Sequence, residues 1–379
     1  MRVAIVLDIP ITAHNGTTVA AINLVKTLQS RGDVVRVVTP DPSKKGQKGY
    51  YVMPTIDFGP LQTIVDHNEV ALARGDERIL EEAIRGADEV HIMMPLMVGR
   101  KALKIARSLG VPVSAGFHVQ AENVTAHLFN FMDWPFANRC VYRNFDKRFF
   151  SMVDAIHYPT EFIRRTYEKA VGHSTPGYVI SNGVSSVFHP QEGLRLPGTE
   201  GKFLVVCTGR YSKEKKQTLL IKAWSLSRHR DDIKVIFAGT GPRLEEMKRC
   251  ARRRCVEPIY RQFERSELAK VLAASDLYVH TSEIEIEAIS CLEAIASGLV
   301  PVINDSPRSA TREFAIDPHC LFSLNDIHDL ASKLDYWYEH PEERREQAKQ
   351  YADYAERFAF DRCMDAMANM IKETAEKRK

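Results

Sequence analysis

Short apolar runs rich in β-branched residues alternate with amphipathic segments along the whole sequence, and the alternation restarts at Lys202. Such runs are typical of buried parallel strands, because helices cover both faces of the sheet. The pattern predicts an α/β protein with two doubly wound parallel-sheet (Rossmann-like) domains that face a cleft, with ligands at the carboxyl ends of the strands. The predicted strands are Val3–Leu7, Val34–Thr39, Glu89–Met93, Pro112–Gly116, Ala155–Tyr158, Tyr178–Ile180, Phe203–Thr208, Lys234–Ala238, Asp276–His280 and Val300–Ile303.

The domain boundary is expected between Ser185 and Gly201, where glycine, proline and polar residues are concentrated. We predict an N-terminal domain over residues 1–185, a linker over 186–201 and a C-terminal domain over 202–359. A chain of 379 residues has room for two domains of this kind. A charged C-terminal helix over 360–379 is expected to pack back on the N-terminal domain.

The composition excludes several classes of protein. With 44% hydrophobic and 27% charged residues, the chain is neither disordered, collagen-like nor a disulfide miniprotein. A net charge of +3 gives no argument for nucleic acid as a partner. Seven cysteines without zinc-site spacing predict reduced thiols and a cytoplasmic protein. The first residues lack the features of a signal peptide, and no apolar run approaches the roughly 20 residues of a membrane span.

The strongest chemical signal is a pair of glutamates, Glu285 and Glu293, around the start of a helix predicted over Ser290–Ala296. The helix follows a predicted strand, so its free N–H groups and positive dipole end are expected to face the cleft, where they suit a phosphate. A carboxylate there is also suited to accept hydrogen bonds from sugar hydroxyls. The alternative is acidic capping of the helix without any ligand.

A second signal is the basic turn GRYSKEKK, residues 209–216, directly after a predicted strand. Arg210 and Lys215 in this turn are suited to neutralise a diphosphate leaving group, and an arginine can bind two phosphate oxygens at once. The alternative is a solvated basic turn.

Four weaker motifs also follow predicted strands. Gly16 lies in a loop that permits close approach of a ligand to the backbone. Gly239 and Gly241 of AGTGP leave room for a flat base, or form a plain strand-to-helix turn. His118 in GFHVQAEN is either a functional or a structural histidine, and ISNGVSSVFHP (180–190) taken alone is an ordinary turn.

In this order the motifs resemble the retaining glycosyltransferases of family 4, which adopt the GT-B fold. The residues that carry the resemblance span nearly the whole chain. They are the N-terminal glycine loop, the histidine of GFHVQAEN, the NGV of residues 182–184, GR-x4-K, GTGP and E-x7-E-A.

The resemblance implies a role for each matching position. Arg210 and Lys215 would bind the donor diphosphate, Glu293 the nucleotide ribose and Glu285 the hydroxyls of the donor sugar. His118 would lie beside the transferred sugar and its leaving phosphate, and Gly16 would let its loop approach the diphosphate or the acceptor. The catalytic set is thus His118, Glu285, Arg210 and Lys215. Further donor-binding positions are Gly16, Gly239, Gly241, Ala288, Ile289 and Glu293.

The chain departs from the family pattern at two places. Ile286, Glu287 and Ala288 stand where many members have a Gly-Phe-Gly-like stretch, and Lys216 stands where glycine is frequent. Both variations, and the HVQAEN stretch, look similar to bacterial glucosyltransferases that act on diacylglycerol. UDP-glucose is the donor that this likeness implies.

The sequence contains no Asp-x-Asp pair of the kind that holds a cation in many metal-dependent glycosyltransferases. We therefore expect no metal site and no cofactor, with Arg210 and Lys215 in place of the metal. The resemblance implies retention, and no nucleophilic carboxylate is evident, so we expect front-face transfer with a donor phosphate oxygen as the acceptor of the proton.

The segment Phe129–Phe150 combines aromatic side chains with arginine and lysine, a mixture that suits an anionic membrane surface. The alternative is a core or dimer contact with a wet basic face. The prediction is a retaining hexosyltransferase with a nucleotide-sugar donor and a lipid acceptor, peripheral on the inner face of the plasma membrane. The alternatives are a soluble or polysaccharide-precursor acceptor, an epimerase or phosphorylase of the same fold, and an inactive nucleotide-binding scaffold.

Overall fold

The computed structural model describes residues 1–11, 16–55, 73–122, 134–191 and 193–377. The chain divides into two units. The first unit consists of Met1–Asn182 and Cys363–Lys379, and the second unit is the single stretch Gly183–Arg362. The domain limits drawn from the sequence, with a linker over 186–201, stay a prediction.

The first unit is built on a parallel sheet of seven strands in the order β3-β2-β1-β4-β5-β6-β7. Its central strands are buried, as expected where helices cover both faces, and they bury four polar side chains as well as apolar ones: Glu89, His91, Ser114 and His157. The strands are β1 (Arg2–Val6), β2 (Val34–Thr39), β3 (Tyr50–Val52), β4 (Glu89–Ile92), β5 (Val113–Gly116), β6 (Ala155–Tyr158) and β7 (Gly177–Val179). The described helices are α1 (Gly16–Ser30), α2 (Glu77–Ile84), α3 (Met97–Ser108), α4 (Pro135–Arg148) and α5 (Glu161–Val171).

The second unit repeats this plan with six parallel strands in the order β10-β9-β8-β11-β12-β13. Its core lies between the sheet and the helices and includes Trp224 and Trp337. The strands are β8 (Phe203–Thr208), β9 (Ile233–Ala238), β10 (Ile259–Arg261), β11 (Leu277–His280), β12 (Pro301–Asn304) and β13 (Leu321–Phe322). The helices are α6 (Thr218–Leu226), α7 (Leu244–Arg253), α8 (Arg265–Ala273), α9 (Ile289–Ala296), α10 (Ile327–Glu339) and α11 (Pro341–Ala355).

A last helix, α12 (Phe360–Glu376), begins in the second unit and continues into the first. Its buried side chains include Met364, Met367, Met370 and Ile371. In the first unit, Tyr178 Oη donates to Glu373 Oε2 over 2.9 Å, and Lys377 Nζ donates to the carbonyl of Asp154 over 2.8 Å.

Each sheet reverses its strand order once, between β1 and β4 in the first unit and between β8 and β11 in the second. In doubly wound sheets, ligands bind beyond the carboxyl ends of the strands at such a reversal. In the second unit, the basic turn 209–216 follows β8 and the glutamate-rich loop 281–288 follows β11. The topology therefore brings the two strongest sequence signals to the place where a ligand is expected.

Candidate active site

The basic turn and the glutamate-rich loop are joined by main-chain and side-chain hydrogen bonds. The backbone N–H of Glu283 donates to the carbonyl of Glu214 over 2.8 Å. The hydroxyl of Thr281 donates to the carbonyl of Lys215 over 2.6 Å. These bonds hold the two segments in one register, so the side chains that they carry are brought together.

Lys215 and Glu285 form the central ion pair of this site. The Lys215 ammonium contacts Glu285 Oε1, and the two side chains are only 20% and 12% exposed. Burial by itself raises the pKa of the Glu285 carboxyl, but the charge of Lys215 and the neighbouring His280 outweigh it and bring that pKa down to about 2. Burial lowers the pKa of Lys215, and Glu285 more than compensates and raises it. Both groups are therefore charged at neutral pH.

His280 is a member of the site that sequence reasoning missed. Its Nε2 lies 3.3 Å from Glu285 Oε1, and its Nδ1 lies 3.0 Å from the hydroxyl of Tyr278. That hydroxyl is in turn 3.1 Å from Thr208 Oγ1. The available signal was its position as the last residue of β11, at the same carboxyl edge as the other site residues.

Glu293 has a different partner from Glu285. It lies in α9, where its Oε1 is 3.1 Å from Arg265 Nη2, and its side chain is 9% exposed. Burial outweighs the charge of Arg265 and raises the pKa of Glu293 to about 7. The Arg265 guanidinium lies over the ring of Phe188, 5.1 Å from its centroid. Glu293 is thus held in the middle of α9 by a cation that is itself stacked on an aromatic ring.

The side chain of Arg210 is exposed at the end of β8. The Gln217 side-chain amide donates to the Arg210 carbonyl over 2.8 Å, which closes the basic turn. The backbone of Arg210 is therefore fixed, while its guanidinium is accessible from solvent.

Gly239 and Gly241 have a packing role that the structure makes explicit. A Cβ at position 239 would lie 2.1 Å from the Gly209 carbonyl oxygen, and one at 241 would lie 2.6 Å from Tyr211 N. Only glycine allows the loop after β9 to pack this closely on the basic turn. Contact of these glycines with a donor base stays a prediction.

The two departures from the family pattern occur at left-handed backbone positions. Ala288 is the N-cap of α9 with φ +60°, immediately before Ile289, and Lys216 has φ +51°. The Lys216 ammonium lies 3.1 Å from Glu283 Oε2, and Arg308 contacts the other oxygen of this buried carboxylate. A second ion-pair cluster thus lies beside the first and ties both segments to the loop after β12.

In the first unit, His118 follows β5 and is half-buried. Burial lowers the pKa of its imidazole well below the usual value, and the nearby His157 and His91 lower it further. Among the described residues, its buried Nε2 has no hydrogen-bond partner. Gly16 begins α1 and is exposed, with open space around the position of a Cβ.

The described aromatic side chains of the segment Phe129–Phe150 form a buried group and an exposed group. Tyr142, Phe145, Phe149 and Phe150 are buried, so for these four the core alternative is correct. Trp134 and Phe136 are 53% and 69% exposed. The basic residues of α4 are also exposed, at Arg139, Arg143, Lys147 and Arg148. Phe129 and Phe131 lie outside the described residues.

Within the described ranges, no group of three or more histidine, cysteine or acidic side chains is arranged to hold a metal ion. In the same ranges, no helix has the length and apolar character that crossing a bilayer requires.

Two family profiles divide the chain between them. Residues 14–187 match Glycosyltransferase Family 4, and residues 195–355 match Glycosyl transferases group 1. The chain belongs to these GT-B glycosyltransferases. The resemblance seen in the sequence is thereby confirmed at the level of family, fold and enzyme class.

The glycosyltransferase also resembles individual proteins. It is 23% identical over 325 residues to an alpha-monoglucosyldiacylglycerol synthase of Streptococcus pneumoniae, covering 81% of this chain and 72% of the relative. It is 24% identical over 314 residues to a GDP-mannose-dependent alpha-mannosyltransferase of Mycolicibacterium smegmatis, covering 80% and 79%.

Solved structures show the same architecture. Alr3699/HepE from Anabaena, in complex with UDP and glucose, matches with a TM-score of 0.76 at 18% identity, over 98% of this chain and 100% of that one. WaaG, a glycosyltransferase involved in lipopolysaccharide biosynthesis, matches with a TM-score of 0.72 at 16% identity, over 97% and 99%. At these identities the likeness establishes the GT-B fold.

Proposed function

We propose that this glycosyltransferase moves glucose from UDP-glucose to a membrane lipid such as diacylglycerol, with retention of anomeric configuration and without a metal ion. The observation that carries the proposal is the buried Lys215–Glu285 pair at the strand reversal of the second unit. The pair holds a fixed cation beside an ionised carboxylate. The cation suits the donor diphosphate, and the carboxylate suits the hydroxyls of the sugar attached to it.

The leaving group of the reaction is a nucleoside diphosphate, and its departure builds negative charge on the β-phosphate. Lys215 supplies a fixed positive charge, and Arg210 supplies one that is accessible from solvent. The N-terminus of α9 adds the positive end of its helix dipole. Preorganised charge of this kind is usually the largest contribution to catalysis. The incoming diphosphate would replace Glu285 as the partner of Lys215.

Glu285 then becomes the group that binds the sugar. In the ligand-free arrangement the charge of Lys215 lowers its pKa to about 2, so Glu285 meets the donor as a carboxylate that can accept hydrogen bonds from sugar hydroxyls. The Lys215 and His280 contacts both end on Oε1. Oε2 lies outside both contacts and is the oxygen assigned to the donor sugar.

In the first unit, the lowered pKa of His118 keeps its imidazole neutral. A neutral ring exchanges a hydrogen bond with the transferred sugar without adding a charge near the oxocarbenium-like centre. Front-face transfer, with a donor phosphate oxygen taking the acceptor proton, requires no protein nucleophile.

The lipid acceptor is supported by the Streptococcus pneumoniae relative, whose name states the synthesis of alpha-monoglucosyldiacylglycerol. It is also supported by α4, where the exposed Phe136 shares a helix with exposed arginines and lysines and the exposed Trp134 lies just before the first helical residue. A soluble acceptor remains the alternative, and the mannosyltransferase relative supports GDP-mannose as the alternative donor.

The donor is tested with a panel of UDP- and GDP-sugars by thermal shift, since a ligand that binds only the folded state raises the melting temperature. UDP-glucose is expected to give the largest shift.

In transfer assays, Lys215→Ala should lower turnover by about 10²-fold or more, as loss of one transition-state donor does. Lys213→Ala, an exposed lysine of the same turn, is the matched control. Near-normal turnover of Lys215→Ala would exclude the assigned role.

The acceptor is tested with vesicles that contain diacylglycerol and anionic phospholipid. We expect glucosylated diacylglycerol as product, and flotation with the vesicles that weakens as salt rises. Trp134→Ala/Phe136→Ala should reduce flotation, whereas Leu324→Ala, which removes an exposed leucine of the second unit, should not. Product on a soluble acceptor alone, with no flotation, would contradict the lipid assignment.

A further inference from the structure

His280 closes a buried chain of polar groups that runs from β8 to the Lys215–Glu285 pair. The chain passes from Thr208 through Tyr278 to His280 and ends at Glu285. The His280 side chain is 3% exposed, so its nitrogens have only protein groups as neighbours. A buried polar chain of this kind has one favourable arrangement of its protons, which the acceptor at its end determines.

The ionised carboxylate at the end fixes the proton on the ring. Glu285 can only accept, so His280 Nε2 must carry the hydrogen, and the neutral ring then has a bare Nδ1. The Tyr278 hydroxyl donates to that Nδ1 and accepts from Thr208. Burial favours the neutral ring, because it lowers the pKa of His280.

The Nε2–H group of His280 is not fully used in this arrangement. It lies 3.3 Å from Glu285 Oε1, but among the described residues it makes no hydrogen bond of good geometry. The same oxygen is in direct contact with Lys215. A buried donor without a proper acceptor is unfavourable, so His280 gains a hydrogen bond if Lys215 releases Oε1.

We propose that His280 is a positioning residue that takes over Glu285 Oε1 when Lys215 turns to the donor diphosphate. The inference rests on the proposed function, in which Lys215 and Glu285 part on donor binding. With Oε1 held by His280, Oε2 keeps the direction that a sugar hydroxyl needs. Without His280, Glu285 either retains Lys215 or rotates freely, and recognition of the sugar is lost.

Two substitutions distinguish the roles of the two ring nitrogens of His280. His280→Gln places an amide N–H near the position of Nε2, and His280→Asn places its polar group near Nδ1 only. We expect the ratio of affinities for UDP-glucose over UDP, measured by calorimetry, to fall about tenfold or more in His280→Asn. His280→Gln should restore most of that ratio. General damage to the fold would weaken the binding of UDP-glucose and of UDP alike and leave the ratio of the two affinities unchanged.

An unchanged ratio in His280→Asn, or equal ratios in the two variants, would overturn the positioning role. Failure of the wild-type protein to bind UDP or UDP-glucose would instead overturn the proposed function, and the takeover by His280 with it.

Nitrogen-15 spectroscopy of the histidine rings gives a second readout that needs no ligand. In the ligand-free wild-type protein at pH 7, the His280 signal, assigned by its absence in His280→Gln, should show the neutral tautomer with hydrogen on Nε2. An imidazolium, or hydrogen on Nδ1, would also overturn the proposal.

Discussion

Two non-glycine residues of the second unit, Ala288 and Lys216, lie in the left-handed region of the backbone, with φ +60° and +51°. In the family that the chain resembles, glycine is frequent at Lys216 and in the stretch that contains Ala288. The backbone conformation explains that preference, because a left-handed L-residue costs roughly 1–2 kcal/mol. At Lys216 the side chain compensates through its ion pair with Glu283. At Ala288 a methyl group offers no such contact.

Ala288→Gly is therefore expected to stabilise the second unit. Relief of roughly 1–2 kcal/mol of left-handed strain exceeds the roughly 0.5–1 kcal/mol of chain entropy that glycine costs, leaving a gain of about 0.5–1 kcal/mol. The measurement is the free energy of unfolding in urea. Ala348→Gly, in the middle of α11, is the matched control and should lose about 1 kcal/mol. A loss at both positions would contradict the strain at Ala288.

Glu293 predicts a specific pH dependence of stability. Its folded pKa, about 7, lies above the ordinary glutamate value of 4.5, so between these values the folded state holds a proton that the unfolded state has lost. Its contribution to stability is therefore full below about pH 4.5 and is lost as pH rises through about 7. The free energy of unfolding of the wild type, relative to Glu293→Gln, should fall by roughly 1–3 kcal/mol from pH 5 to pH 8.

The same experiment with Glu346→Gln, at an exposed glutamate of α11, serves as the control. A wild-type minus Glu293→Gln difference that stays constant across this pH range would show that Glu293 is ionised throughout.

The placement of the main site residues could be predicted, because each follows an apolar run and parallel strands end at a common edge. This reasoning predicts that Lys215 and Glu285 lie at the same sheet edge, where the structure pairs them. It did not find His280, which belongs to the strand pattern itself, nor the pairing of Glu293 with Arg265. Such partners come from different elements, and side-chain packing rather than sequence spacing decides them.

Among the elements, α3 depends on a buried carboxylate from another part of the chain. Asp8, just after β1, accepts from the backbone N–H groups of Val98 and Gly99 over 2.7 and 3.1 Å. These are orphan donors of the first helical turn, and Asp8 is only 1% exposed. Burial outweighs these bonds and raises the pKa of Asp8 to about 6.

Loss of this cap should loosen α3. Asp8→Ala leaves two buried N–H groups without an acceptor and is expected to lower the free energy of unfolding of α3 by about 2 kcal/mol. Asp8→Asn keeps one acceptor oxygen and should lower it by about half as much. Hydrogen exchange of the 97–108 peptide measures the effect where it arises. Equal exchange in wild type and Asp8→Ala would mean that the helix start is satisfied by other groups.

The sequence predicted ten strands of the described chain to within a residue or two at each end, but not β3, β10 and β13. These three have two or three residues each, and all lie at or near a sheet edge. So few residues give little room for an apolar run, although the equally short edge strand β7 was recognised from Tyr178–Ile180. Their place follows from pairing with a neighbour that already exists, such as Tyr50–Val52 beside Val37–Thr39.

At the level of the molecule, the first unit is assembled from both ends of the chain. Removal of residues 363–379 deletes the buried methionines of α12 together with the contacts to Tyr178 and Asp154. We expect faster hydrogen exchange in β6 and β7 and unchanged exchange in β8 and β9. Met367→Ala is a milder variant and is expected to lower the free energy of unfolding of the first unit by about 2–5 kcal/mol. Its control is Lys372→Ala, because the side chain of Lys372 is exposed. Equal acceleration in both units would contradict the assignment of α12 to the first.

This division also sets an order of maturation during synthesis. The second unit is one uninterrupted stretch and is complete once Arg362 has left the ribosome, whereas the first cannot close until Cys363 and the residues after it have emerged. A nascent chain therefore carries the earlier sheet, still lacking its final helix, through the translation of the entire later unit. The half that is made first is the half that is finished last.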